Sequence, residues 1–111
     1  MATPGAPVSD RESPEDVVDD THDNRFELGP EGESGSLAYR LNGNRLVLIH
    51  TEVPEALRGR GLGGRLVRAA VERAARESMT LVPLCPYARE WLIAHPDAAA
   101  TVEIDWNPPR A

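Results

Sequence analysis

The chain has 111 residues, the length of one small domain, and a net charge of −6. All 12 basic residues are arginines. The lack of lysine argues against a P-loop nucleotide site and against Schiff-base chemistry. One cysteine and three histidines predict neither a disulfide framework nor a metal site.

Apolar segments in this sequence are short. The longest aliphatic run of the folded part spans residues 46–49, which is far below the length of a membrane span. No basic start followed by an apolar stretch is present at the N-terminus, so no signal peptide is predicted. We therefore expect a cytoplasmic protein that has no membrane partner.

Residues 1–23 differ in composition from the rest of the chain. Most of their charges are acidic, and Pro, Ser and Gly are frequent among them, which predicts a disordered acidic tail. Such a tail is either a solvated leader or a segment that binds a basic partner. Residues 24–111 form the predicted domain. Their acids and arginines balance, which argues against a nucleic-acid-binding surface.

Three short strands are predicted at the start of the domain, over residues 24–28, 36–41 and 45–53. The middle strand alternates, with Leu37, Tyr39 and Leu41 on one face. Asn-Gly between two apolar runs favours a hairpin turn, because both residues tolerate positive φ. An antiparallel meander is the simplest topology for these strands.

A helix is predicted over residues 63–77, because apolar side chains recur there at spacings of three and four. On its polar face, Arg68 and Glu72 are spaced for an ion pair, as are Glu72 and Arg76. The sequence thus predicts one amphipathic helix whose apolar side packs on the strands.

The C-terminal part is predicted to contain a strand over residues 79–84 and a second helix that begins at Pro86. We expect Trp91 of this helix in the core and His95 at its end. Residues 101–106 are predicted to return as an edge strand.

A glycine-rich turn precedes the first helix. Gly59, Gly61 and Gly64 match the G-x-G-x-x-G pattern, but the following strand lacks the terminal acid that a dinucleotide fold requires. Glycines let the backbone approach an anion, and a helix N-terminus adds a positive dipole end. Nearby positive charge comes from Arg58, Arg60 and Arg65. We interpret the turn as a pyrophosphate site; the alternative is a flexible turn with solvated arginines.

The glycine-rich turn and its flanking residues resemble those of a known family. The Arg-Gly-Arg-Gly-Leu-Gly run at residues 58–63 is similar to the coenzyme A pyrophosphate loop of the GNAT N-acetyltransferase superfamily. His-Thr-Glu-Val-Pro before it and Cys-Pro-Tyr after the next strand extend the likeness. Together they resemble small, single-cysteine GNAT-like domains of the YjdJ type, over residues 26–98.

The resemblance implies a reduced GNAT-like acyl-CoA N-acyltransferase fold of the α+β class. Such a fold has a central mixed, mostly antiparallel sheet with flanking helices. It implies acetyl-CoA as co-substrate and an unidentified amine as acceptor. Independently of the resemblance, we expect no metal and a monomer. The implied cofactor-binding residues are Thr51, Val53, Arg58, Gly59, Arg60, Gly61, Leu62, Gly63 and Gly64.

Acetyl transfer needs a base for the amine and a group near the thioester. His50 and Glu52, on one face of their strand, are candidate bases or simply surface residues. Cys85 lies where a helix N-terminus favours a thiolate, and the resemblance implies that it is near the thioester, as an acetyl acceptor or a proton donor. The alternative is a small buried apolar residue. Tyr87 is a proton donor or a packing residue.

Two functions therefore remain open. One is an acetyl-CoA-dependent N-acetyltransferase that uses Cys85, His50 and Glu52. The other is a CoA or acyl-CoA binding module with little or no transferase activity.

Overall fold

A computed structural model describes residues 17–29, 34–55, 59 and 61–106. The strands are β1 (Val18–Asp20), β2 (Arg25–Leu28), β3 (Gly35–Asn42), β4 (Arg45–Glu52), β5 (Thr80–Pro83) and β6 (Glu103–Ile104). The helices are α1 (Leu62–Arg76), α2 (Pro86–Ala94) and α3 (Pro96–Ala99). Arg58 and Arg60 of the predicted site, and residues 1–16 of the predicted tail, lie outside the described residues.

All six strands form one sheet in the order of the chain, β1-β2-β3-β4-β5-β6. The first four strands pair antiparallel, and β4–β5 and β5–β6 pair parallel. The crossover between β4 and β5 contains α1, as a parallel connection requires. This confirms the predicted mixed, mostly antiparallel sheet with flanking helices.

The core lies between the sheet and α1. The apolar stripe of the helix is buried, as predicted, and packs against alternate residues of β2 and β3. Phe26, Leu37 and Tyr39 fill this layer from the sheet side. Leu41 shares their face, as the alternation predicts, but it is 41% exposed. It lies beside the hairpin turn, at the end of β3.

The N-terminal boundary differs from the prediction. Val17 to Asp23 were expected in the disordered tail, yet Val18–Asp20 form β1 at the edge of the sheet. Asp19 accepts hydrogen bonds from Tyr39 Oη at 2.6 Å and from Arg73 Nη1 at 3.0 Å. The short, mostly polar strand β1 is thus held against the domain by hydrogen bonds from buried side chains to Asp19.

The hairpin turn and the C-terminal elements can also be compared with the predicted ones. The hairpin turn between β3 and β4 contains Gly43 at φ 63°. The predicted C-terminal edge strand is reduced to Glu103–Ile104, and α3 was not predicted. In the part of the chain that the structure describes, no helix is both long and apolar enough to cross a membrane.

A cleft between two diverging strands

A cleft opens where β4 and β5 part. Their parallel pairing ends at Leu48 and Pro83, whereas β4 continues to Glu52 along β3. Instead of extending the ladder, the Leu84 and Cys85 amides both donate to the Leu48 carbonyl oxygen, at 3.1 and 3.0 Å. The chain then turns into α2, so no strand among the described residues pairs with the last residues of β4 on this side.

A bulge in β4 lies at the same level. Tyr39 pairs with Leu48 and Ala38 pairs with His50, so Ile49 is the extra residue. A bulge bends a strand and changes which side chains share a face. Beyond it, His50 and Glu52 are exposed and Thr51 is half-buried.

The N-terminus of α1 points into this region. Its N-cap is Gly61, at φ 74°, with no side-chain cap and no acid in the first turn. The first amides of a helix lack intrahelical acceptors, and the helix dipole adds positive potential there. Gly59 also has positive φ, and a Cβ at Gly59 or Gly61 would meet nothing within 4 Å. Backbone conformation, rather than crowding, therefore favours glycine at both positions.

The resulting cleft has a volume of about 650 Å³. It is lined by His50, Thr51, Glu52, Val53, Gly59, Gly61, Leu62, Gly63 and Tyr87. The structure thus brings together six of the predicted cofactor-binding residues and two of the three predicted catalytic residues. Among the residues that the structure describes, Gly64 and Cys85 do not line the cleft.

Gly63 and Gly64 have a role that the sequence analysis missed. A Cβ on Gly63 would lie 2.7 Å from the Tyr87 hydroxyl, and one on Gly64 would lie 2.7 Å from Trp91 Nε1. The two glycines therefore let α2 approach the first turn of α1 closely. No local pattern could show this, because the partners come from a helix more than 20 residues later in the chain.

Cys85 lies behind the cleft. It is 3% exposed and is the N-cap residue of α2. Its Sγ lies 3.2 Å from Thr51 Oγ1, a hydrogen bond in which either atom is the donor. The thiol is therefore joined by this hydrogen bond to Thr51, which lines the cleft.

Tyr87, which the sequence predicted as a proton donor or a packing residue, also lines the cleft. It lies in the first turn of α2, is 43% exposed, and its ring covers Gly63. The Cys-Pro-Tyr motif indicated its position in the sequence. Proline favours the first position of a helix, so the residue after it is expected in the first turn of α2.

The cleft has charges of both signs. The exposed side chain of Glu52 lines the cleft, and so do the first residues of α1, where the helix dipole is positive. Within the described ranges, no three His, Cys, Asp or Glu side chains are grouped so as to hold a metal ion. The positive end of the helix dipole makes this part of the cleft favourable for an anion.

Comparison with known proteins agrees with this geometry. The sequence model of the GCN5-related N-acetyltransferase family matches residues 25–102, which is more than half of the chain. The chain therefore belongs to the GCN5-related N-acetyltransferase family. The match begins at the first residue of β2 and ends just before β6.

Curated relatives include a vertebrate protein called Protein NATD1. The bovine protein is 34% identical over 98 residues, which cover 86% of this chain and 85% of the relative. The chicken and mouse proteins are each 38% identical over 61 residues, 54% of this chain. Those matches span 56% of the chicken and mouse relatives.

Proposed function

We propose that the protein is an acetyl-CoA-dependent N-acetyltransferase that acts on an amine. The observation that carries the proposal is the cleft between β4 and β5, which is also lined by the N-terminus of α1. Within the family, we further propose that this chain is a small, single-cysteine member of the YjdJ type.

The cleft fits coenzyme A in two respects. Within the described ranges, no strand pairs with the β4 edge at residues 50–52 on its cleft side. This edge can therefore accept an extended amide-containing chain, as a strand would. The open glycine backbone at Gly59 and Gly61 leads to the helix N-terminus, where a pyrophosphate is favourable. Thr51 and Val53 would hold the pantetheine arm. The pyrophosphate would be held by residues 58–64.

Acetyl-CoA, when bound, supplies an acetyl thioester that an amine can attack. An attacking amine must be unprotonated and must lose a further proton. His50 and Glu52 line the cleft as exposed side chains of one strand, and each can accept such a proton directly or through water. The Tyr87 hydroxyl, which lies against Gly63 in the lining of the cleft, can donate a proton to a departing thiolate.

Cys85 has a positioning role in this scheme. Its buried thiol hydrogen bonds Thr51, whose backbone lies in the wall of the cleft. We propose that this contact fixes the end of β4 beside the start of α2.

Titration calorimetry with acetyl-CoA tests the cofactor. Arg60→Glu is expected to weaken binding at least tenfold, since it replaces an attractive charge near a pyrophosphate by a repulsive one. Arg76→Glu is the matched control, because Arg76 is exposed in the last turn of α1, far from its N-terminus. If the folded wild type does not bind acetyl-CoA, the proposed function is wrong.

Turnover separates the enzyme from a CoA or acyl-CoA binding module. Both bind acetyl-CoA, but only the enzyme transfers acetyl groups to an amine panel. His50→Ala and Glu52→Gln should lower the transfer rate without weakening acetyl-CoA binding, if either residue is the base. Cys85→Ala should retain measurable transfer if the thiol only positions Thr51, and should abolish it if the thiol carries the acetyl group.

A further inference from the structure

An aromatic and cationic cluster lies beside the glycine turn, outside the cleft. The Arg68 Cζ atom is 5.2 Å from the centroid of the Trp91 ring. The His95 ring stacks on the same indole, with centroids 4.0 Å apart and an interplanar angle of 15°. His95 Nδ1 also lies 2.8 Å from the Trp91 carbonyl oxygen, which fixes the orientation of the imidazole.

Arg68 is not where the sequence pattern placed it. The expected ion pair between Arg68 and Glu72 is not formed; within the described part of the chain, the guanidinium packs over Trp91 instead. Arg68 is exposed, whereas Trp91 and His95 are half-buried. A cation held over an indole and open to solvent keeps its donors available for an anion.

The cluster is connected to the helix N-terminus by one stripe of α1. Gly61, Gly64 and Arg68 lie at i, i+3 and i+7, so they share a face. Arg68 is about 10 Å along the axis from Gly61, and its side chain points back towards that end. Trp91 Nε1 packs directly over Gly64, between the two.

The nucleotide of coenzyme A has a matching distribution of charge. It carries a pyrophosphate on the 5′ oxygen and a further phosphate on the 3′ oxygen of one ribose. If the pyrophosphate binds at the N-terminus of α1, the second phosphate lies one sugar away from it. Arg68 is on the same face of α1, with its side chain directed towards that end, so it can meet the second phosphate. Arginine is well suited to such a contact because its planar donors engage two phosphate oxygens at once.

We propose that Arg68 recognises the 3′-phosphate of coenzyme A, and that Trp91, backed by His95, positions its guanidinium. This inference rests on the proposed function and adds a specificity: the protein distinguishes coenzyme A from its 3′-dephosphorylated form. Arg68 binds the ligand, and Trp91 acts through Arg68.

The test is titration calorimetry with coenzyme A and 3′-dephospho-coenzyme A. The wild type should bind coenzyme A about tenfold more tightly, as one charge-assisted contact predicts. Arg68→Ala should bring this ratio close to one and leave the affinity for the dephosphorylated ligand unchanged. Arg76→Ala, the same change two turns later in α1, should keep the wild-type ratio.

Trp91 is tested by the same ratio. Trp91→Leu should lower it, and Trp91→Phe, which retains an aromatic face, should restore most of it. A merely structural role for Trp91 would weaken both ligands equally.

The outcomes separate this inference from the proposed function. Equal binding of both ligands by the wild type, or equal weakening of both by Arg68→Ala, overturns the inference alone. If the folded wild type binds neither ligand, the proposed function fails and the inference fails with it.

Discussion

Gly63 and Gly64 lie in the first turn of α1, although glycine costs a helix up to about 1 kcal/mol relative to alanine. The structure explains this cost by the close approach of α2, since Tyr87 and Trp91 occupy the space that Cβ atoms would fill. Gly59 and Gly61 are different, because their positive φ is what excludes larger residues. One glycine-rich run therefore contains two kinds of glycine.

This distinction predicts a coupling between Gly63 and Tyr87. In a Tyr87→Ala background, Gly63→Ala should raise the free energy of unfolding by about 0.5–1 kcal/mol, through helix propensity alone. With Tyr87 present, the same change should lower that free energy, because the Cβ would displace the ring. Urea denaturation of the four proteins measures both effects.

A control for this cycle is Ala75→Gly, at an exposed position of α1. It should destabilise both backgrounds equally, by up to about 1 kcal/mol. If Gly63→Ala has the same effect with and without Tyr87, the glycine is not required for the contact with α2.

At the scale of elements, β1 is held by a network that joins three elements. Tyr39 Oη donates to Asp19 Oδ1 at 2.6 Å and accepts from Arg73 Nη1 at 2.8 Å. Arg73 also pairs with Asp19 at 3.0 Å and with Glu77 at 3.3 Å. Burial, and then the hydrogen bond to Asp19, raise the pKa of Tyr39 to about 12.

The raised pKa of Tyr39 predicts a loss of stability at high pH. Above the ordinary value of 10.0, the unfolded state loses its tyrosine proton while the folded state keeps it. The unfolded state then binds fewer protons, so the free energy of unfolding falls as pH rises from about 10 to about 12. Urea denaturation at a series of pH values measures this slope.

Tyr39→Phe is the matched variant for the pH series. It should be less stable than the wild type at pH 8, by about 1–2 kcal/mol, because Arg73 and Asp19 each lose a buried partner. Its stability should fall less between pH 10 and 12. An identical slope in both proteins would contradict the assignment to Tyr39.

At the scale of the molecule, the folded unit begins before the boundary that composition predicts. Asp19 lies in the acidic segment but contacts Tyr39 and Arg73, and Val17 packs against the core. The acidic residues 1–23 therefore fall into two parts. One part forms a strand with defined partners; for the other, residues 1–16, disorder stays a prediction.

Two truncations test this division. Removal of residues 1–16 should change the free energy of unfolding by less than about 0.5 kcal/mol, as for a solvated segment. Removal of residues 1–20 deletes β1 and leaves Arg73 without Asp19, and should cost about 2 kcal/mol or more. Equal stability of the two truncated proteins would show that β1 contributes nothing.

Much of this architecture follows from local patterns. Apolar spacing predicted α1, alternation and turn residues predicted the strands of the meander, and Pro86 predicted the start of α2, because near neighbours determine each of these features. The Gly-rich turn likewise placed the candidate site at the N-terminus of α1. These parts were predictable because hydrogen-bond periodicity and backbone conformation depend on adjacent residues.

The remaining features depend on residues that only the fold brings together. The sequence by itself determined the order of the main elements, the glycine turn and the family likeness. The tertiary structure decided that Thr51 contacts Cys85, that Tyr87 and Trp91 pack on Gly63 and Gly64, and that Asp19 anchors β1. It also decided where β4 and β5 part. The physical reason is that packing and burial select these contacts. Both depend on residues far apart in the chain, so no local sequence pattern predicts them.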